Sequence, residues 1–237
     1  MSDSFNFQDG EVLLFDKPYG PTSFSIVNRV RGIIKRKLKV KNIKVGHAGT
    51  LDPLATGLLV ICTGKATKTI SSIQDAEKEY TGTITIGATT PSYDLETEVN
   101  ETFPIDHITD EMIRKTAAEM VGEHHQMPPI FSAKQVDGKR AYDLARAGKD
   151  VKLNTKLVII KEFEITAIRK NEETIDVDFR IACSKGTYIR SVAYDFGKAV
   201  NSGGYLSSLR RTRIGNFSVE DAIDADQFQV LLHGDLA

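Results

Sequence analysis

Between Gly46 and Gly57 the chain reads Gly-His-Ala-Gly-Thr-Leu-Asp-Pro-Leu-Ala-Thr-Gly. Two of these side chains can do chemistry. The Asp52 carboxylate, if ionised, is a base or a nucleophile, and His47 brings an imidazole beside it. Three glycines and a proline in twelve residues exclude a regular helix and predict a shaped loop. Pro53 biases Asp52 toward an extended backbone and has no amide hydrogen of its own. Leu58-Leu59-Val60-Ile61-Cys62 follows, a short apolar run of the kind that forms a buried strand. A core strand would thus anchor the loop and hold its reactive groups in place. For Asp52 alone, ordinary Asp-Pro turn chemistry is the alternative reading, and for His47 a hydrogen-bonded structural histidine.

A third candidate is Arg190, at the start of a helix expected over Thr187 to Val200 with Ile189, Val192, Ala193 and Phe196 as its core face. The helix macrodipole disfavours a cation there, so a carboxylate or phosphate is expected to face it; chance surface placement is the alternative. Basic residues also cluster. Arg29 to Lys44 holds eight basic residues and no acid, a second group runs from Lys134 to Lys156, and Arg210, Arg211 and Arg213 form a third. Acids gather in Asp94–Glu101, Asp106–Glu111 and Glu220–Asp226. Net charge is only −1, so a basic face that meets phosphates and an acidic back are expected, with solvated helix faces as the plainer account.

The positioning elements follow from local pattern. Val12 to Phe15 reads as a strand, and Thr22 or Ser23 caps a helix whose core face is Phe24, Val27, Val30, Ile34 and Leu38. Gly64-Lys65 lacks the spacing and the hydroxyl of a phosphate-binding loop, and Thr63 to Thr69 opens a short helix instead. Lys78 to Gly87 is a strand. Thr109 caps a helix over Asp110 to Val121 with Met112, Ile113, Ala117, Met120 and Val121 inward. Between His124 and Lys152 the pattern loosens, and Arg140 to Ala147 reads as a short helix within a protruding basic arm that carries Phe131 and Tyr142. Leu157 to Ile168 and Thr174 to Cys183 form an antiparallel hairpin. Leu209 to Phe217 returns as a basic strand, and Ala225 to Leu232 is a closing helix.

Composition bounds the class. At 237 residues, 41% hydrophobic and 27% charged, the chain can bury a real core. Met1 to Gly10 has no apolar run to serve as a signal peptide, and no run approaches membrane-spanning length. Cys62 and Cys183 read as reduced core thiols, and His124-His125 lacks partners at metal-ligand spacing. A cytoplasmic protein is the expectation.

Taken together, these residues resemble the TruB-type pseudouridine synthases, the family that includes the dyskerin-like guide-RNA enzymes. Lys17-Pro18-x-Gly20-x-Thr22-Ser23 resembles its N-terminal motif, and Gly46 to Gly57 its catalytic motif. Lys78-x-Tyr80 resembles the motif with a base-stacking tyrosine. Cys183-Ser184-Lys185-Gly186-Thr187-Tyr188-Ile189-Arg190 resembles the motif whose arginine pairs with the catalytic aspartate, and Leu209-Arg210-Arg211 the last active-site strand. Pro128 to Lys134 and Ala141 to Gly148 resemble a thumb insertion. After Tyr80 the family continues with an Asp- and Gly-containing turn, whereas here the chain reads Thr90-Pro91-Ser92-Tyr93-Asp94-Leu95-Glu96.

The resemblance implies an α+β pseudouridine synthase fold: a central mixed, mostly antiparallel sheet flanked by helices. It implies one catalytic domain over 1–237 with a thumb at about 124–152; the PUA domain that many members carry is not expected here. The implied reaction isomerises uridine 55 in the T-loop of tRNA to pseudouridine, with no cofactor and no metal. Asp52 is then catalytic and paired with Arg190, Tyr80 stacks on the flipped uracil, and His47 fills the space the base leaves. Tyr188 contacts the site, and Lys17 and Leu209 shape it. Attack at C1′, attack at C6 and removal of the C2′ proton all remain open to Asp52. RNA contacts are expected from Arg29, Arg31, Lys35, Arg36, Phe131, Lys134, Arg140, Arg146, Arg210 and Arg211. The expected partner is the tRNA T-arm, bound by a monomer that needs no protein partner and no membrane. An RNA-binding module without catalysis and a guide-RNA-dependent enzyme are the competing readings.

Overall fold

The structure, a computed structural model, describes residues 5–129, 135–136, 139–140 and 154–234. Phe131, Lys134, Arg146, the expected helix beyond Arg140 and most of the expected thumb lie outside these residues. The strands are β1 Val12–Lys17, β2 Val45–His47, β3 Thr56–Thr63, β4 Lys78–Ile86, β5 Ala88–Thr89, β6 Glu101–Thr102, β7 Gly122–Gln126, β8 Gln135–Val136, β9 Lys139–Arg140, β10 Lys156–Lys170, β11 Ile175–Cys183, β12 Gly204–Ile214 and β13 Phe217–Ser218. The helices are α1 Ser23–Leu38, α2 Ile70–Asp75, α3 Asp110–Glu119, α4 Ile189–Ala199 and α5 Ala225–His233. A 3-10 turn over Gly64–Thr69 stands where the short helix was expected.

Hydrogen-bonded neighbours run in the order β1-β3-β12-β4-β11-β10-β7, with β2 on β3 and β13 on β12. Pairing of β3 with β12 is parallel, through Arg210 with Thr56 and Arg211 with Gly57. The β1–β3, β2–β3, β7–β10, β10–β11 and β12–β13 pairs are antiparallel. The mixed, mostly antiparallel sheet with helices is thus present.

Contacts divide the chain into two compact units, Met1–Tyr80 with Arg210–Ala237, and Thr81–Leu209. In the first, β3 is buried on both faces, which explains its unbroken apolar run. Leu59 and Ile61 pack with Phe15, Val30, Ile34 and Phe228, while Leu58 and Val60 pack with Ala48 and Ile214. Thr22 caps α1 by accepting from the Ser25 amide at 3.0 Å. The buried stripe of α1 is Ser23, Ile26, Val27, Val30, Ile33 and Ile34. Phe24, expected inside, is 64% exposed, because it lies about 60° around the helix from Val27. Asp224 and Gln227 form a capping box on α5.

In the second unit Phe163 on β10 meets Phe196 on α4 at 5.6 Å and Phe179 on β11 at 6.0 Å. Ile189, Val192, Ala193 and Phe196 are buried as expected. Three local expectations change. Gly122–Gln126, including His124-His125, forms strand β7 against β10. Val121 is exposed instead of facing the core of α3. Arg140 lies in β9, paired with Gln135, and not at a helix start. Cys62 and Cys183 are buried and form no disulfide. Among the described residues no helix is long and apolar enough to cross a membrane, and no group of three His, Cys, Asp or Glu could hold a metal ion.

Candidate active site

Asp52 sits half-buried on a turn closed by the Ala55 amide bonding to its carbonyl at 3.1 Å. The turn chemistry expected of Asp-Pro is thus present at Asp52, whose side chain remains a candidate for reaction. His47 ends β2, paired with Ile61, and Thr56 begins β3, so strands hold both ends of the loop. Gly57 has φ +100°, and a Cβ there would lie 2.3 Å from the Arg211 carbonyl oxygen. Only glycine fits this close passage of β12.

Both flanks of Asp52 are fastened to the segment after β1. Ser23 Oγ donates to the Leu51 carbonyl at 2.9 Å and accepts from the Leu51 amide at 2.8 Å. The Gly20 amide donates to the Pro53 carbonyl at 2.9 Å. Lys17, fully buried at the end of β1, donates through Nζ to the same carbonyl at 3.1 Å and to that of Pro18 at 2.8 Å. Burial pushes the Lys17 ammonium down to about 8, against the attraction of Asp52 that favours its charged form.

Arg211 departs from expectation. Placed among the RNA-contacting residues by sequence, its side chain is buried, with Nε donating to the Leu58 carbonyl at 2.8 Å and Nη2 to that of Gly49 at 3.0 Å. It braces the loop from inside and adds nothing to a basic surface. Its charge also bears on His47, whose pKa is lowered chiefly by burial and further by Arg211, with the Gly49 backbone opposing. His47 Nδ1 is buried without a hydrogen-bond partner among the described residues, which suits a neutral ring that does not spend this atom on the fold. Tyr80, near the start of β4, is buried; the Lys78 ammonium two residues earlier donates to the Ala76 carbonyl at 2.6 Å and fixes the strand's entry.

In the second unit Arg190 is the second residue of α4 and is buried. The anion expected to face it includes one the sequence reading had assigned to the acidic back: Asp94 Oδ2 lies 3.6 Å from Arg190 Nε, both side chains buried. Arg190 Nη1 also donates to the Ser92 carbonyl at 3.2 Å. The loop is shaped for this purpose. Thr90 Oγ1 donates to the Asp94 carbonyl at 2.6 Å, Asp94 Oδ1 accepts from the Glu96 amide at 3.0 Å, and Tyr93 adopts φ +63°. The Tyr93 ring stacks on Tyr194 of α4 at 4.1 Å. Tyr188, half-buried, precedes α4 without a side-chain cap, and Gln126 of β7 takes that place in part. Its Oε1 accepts from the Tyr188 amide at 2.8 Å, and its Nε2 donates to the Tyr188 carbonyl at 3.0 Å. Leu209 is half-buried on β12.

Several basic candidates are engaged within the protein. Arg29 pairs with Asp226 of α5, Arg36 donates to Gln229 at 3.2 Å, and Arg31 donates to the Val45 carbonyl at 3.0 Å. Arg210 holds Asp16 with two bonds of 3.0 and 2.7 Å. Lys35 is half-buried on α1. Asp94 and Gln126 escaped the sequence reading. The only signal for Asp94 was its place in the motif where the loop departs from the resembled pattern.

The chain is similar in sequence and fold to known proteins. Residues 35–189 match the sequence profile of "TruB family pseudouridylate synthase (N terminal domain)". The chain is 55% identical to "tRNA pseudouridine synthase B" of Flavobacterium johnsoniae over 94% of its own length and 96% of the relative's. It is 45% identical to the protein of the same name in Chlorobaculum tepidum, over 92% and 89%. Among solved structures it resembles a chain of a Cbf5-Nop10-Gar1 complex, with TM-score 0.67 and 28% identity over 98% of this chain. A chain of an archaeal box H/ACA sRNP Nop10-Cbf5 complex gives TM-score 0.64 and 27% identity. The chain spans 58% and 55% of those two solved chains. Fold and sequence together make it an isomerase of the pseudouridine synthase class. It belongs to the TruB family of pseudouridylate synthases.

Proposed function

We propose that this chain converts uridine 55 in the T-loop of tRNA to pseudouridine. In that reaction the N1–C1′ bond breaks, the uracil turns, C5 bonds to C1′, the C5 proton leaves and N1 takes up a proton. Substrate and product have the same composition, so neither oxidant nor co-reactant is required. The observation that carries the reading is the bracing of Asp52: hydrogen bonds secure Leu51 on one side of it and Pro53 on the other, as a reacting carboxylate requires. The relatives named tRNA pseudouridine synthase B support tRNA as the substrate.

In this reading the target nucleotide is extruded at a cost of a few kcal/mol, and Tyr80 stacks on its base. A neutral His47 occupies the space left in the RNA. Arg190 pairs with Asp52 and favours its ionised form. The thumb at about 124–152 grips the T-arm, with basic residues of α1 and Arg210 on the phosphates. The protein works as a monomer in the cytoplasm.

Release of tritium from a tRNA transcript labelled at uridine C5, followed by mass-spectrometric mapping, tests the proposal. Stoichiometric release with the product at position 55 is expected. Asp52→Asn should bind the transcript and release nothing. A wild-type protein that binds the transcript without release would overturn the reading in favour of a non-catalytic RNA-binding module.

A further inference from the structure

The chain has eleven Phe, seven Tyr and no Trp, and Phe131 and Tyr142 lie outside the described residues. Of the others, only Tyr19 and Phe24 are exposed, at 62% and 64%. Single exposed aromatics are common on protein surfaces. Here the two described ones fall within six residues of each other, on the segment that grips the Asp52 turn. Tyr19 is flanked by Lys17 and Gly20, both bonded to the Pro53 carbonyl, and Phe24 follows Ser23, bonded to Leu51. The chain segment that carries both residues is therefore fastened to the two neighbours of Asp52.

Neither ring is buried in the core. Phe24 lies off the buried stripe of α1 and leaves in water a side chain whose burial would contribute about 1.5–3 kcal/mol. The helix that carries it has five basic residues and no acid, a charge that fits a phosphate backbone and not an apolar partner. Aromatic rings beside positive charge are what single-stranded nucleic acid uses for binding, because every base offers a π-face. Extruding one nucleotide also unstacks its neighbours, which then need new surfaces.

We propose that Tyr19 and Phe24 form a stacking platform for the RNA bases adjacent to the extruded uridine. This rests on the reading that the substrate is RNA. Its occupant is a pair of unstacked nucleotides, recognised by their rings and not by base identity.

Binding of a T-arm RNA hairpin, measured with and without an abasic site at each nucleotide flanking the target, tests the platform independently of turnover. Tyr19→Ala and Phe24→Ala should each weaken binding about tenfold, within the range of a lost base stack. Tyr19→Phe should stay within about twofold. An abasic flank should weaken wild type by a similar factor and have no further effect on the matching Ala variant. Both side chains are exposed, so unchanged circular dichroism and melting are expected. Ala variants that bind as tightly as wild type, or an abasic flank that weakens wild type and variants equally, would overturn the platform. Tritium release by wild type is scored separately: its absence alongside the expected binding pattern refutes the isomerase reading and leaves the platform standing.

Discussion

Lys17 Nζ, fully buried, donates to the Pro53 carbonyl at 3.1 Å, placing a cation with no solvent around it one residue beyond Asp52. Burial lowers its pKa to about 8, so the proton leaves just above neutral pH and the positive charge beside the Asp52 turn leaves with it. A 15N-lysine NMR titration should show one resonance with a midpoint near 8, absent in Lys17→Met. Turnover should fall as pH rises through that value. The stability effect has the opposite sense: between about 8 and the ordinary 10.5 the unfolded chain binds the extra proton, so this residue's contribution rises with pH there.

His47 carries the complementary prediction. Its ring is held neutral by burial and by Arg211, so the unfolded state takes up a proton first as pH falls below the ordinary 6.5. Stability present above that value is lost on further acidification. Urea midpoints measured from pH 7.5 to 5 should fall more steeply in wild type than in His47→Gln.

Asp94→Asn removes a buried carboxylate 3.6 Å from Arg190. Breaking a buried ion pair costs about 3–5 kcal/mol, and this rather long pair belongs at the low end. Denaturant unfolding should show a loss of about 3 kcal/mol and tritium release should drop at least tenfold. Arg190→Lys should be similarly impaired, since an ammonium cannot reach the Ser92 carbonyl and a carboxylate with the same fork.

Two glycines of the same backbone conformation should differ sharply. Gly57 and Gly20 have φ +100° and +103°, but a Cβ at Gly57 meets the Arg211 backbone at 2.3 Å and one at Gly20 meets nothing within 4 Å. Gly20→Ala should cost about 1–2 kcal/mol from the left-handed backbone alone. Gly57→Ala adds a backbone collision and should cost about 3 kcal/mol or more, again read from urea unfolding.

What could be read from sequence was whatever local pattern determines. The apolar run of β3, the Thr22 cap, the β10–β11 hairpin and the core face of α4 all follow from neighbours within a few residues. Phe24 misled because it fits helical spacing from Val27 while lying past the edge of a stripe that only tertiary packing defines. Strand β7 was missed because Gly-Glu-His-His-Gln carries no strand alternation; it is held by its pairing with β10. Arg211 and Asp94 look like surface charges in any local window. Each acquires its role from partners far along the chain: Gly49 and Leu58 for one, Arg190 for the other.

The fastening of Leu51 and Pro53 to Ser23, Gly20 and Lys17 has a practical consequence for anyone wishing to move this chemistry to another scaffold. Residues 46–57 are not a portable cassette. Transplanted alone, they would carry a proline carbonyl and a leucine amide stripped of the groups that hold them, and the aspartate between them would wander. A graft that keeps its aim needs residues 17–23 travelling beside the loop, and Arg211 to brace it from inside.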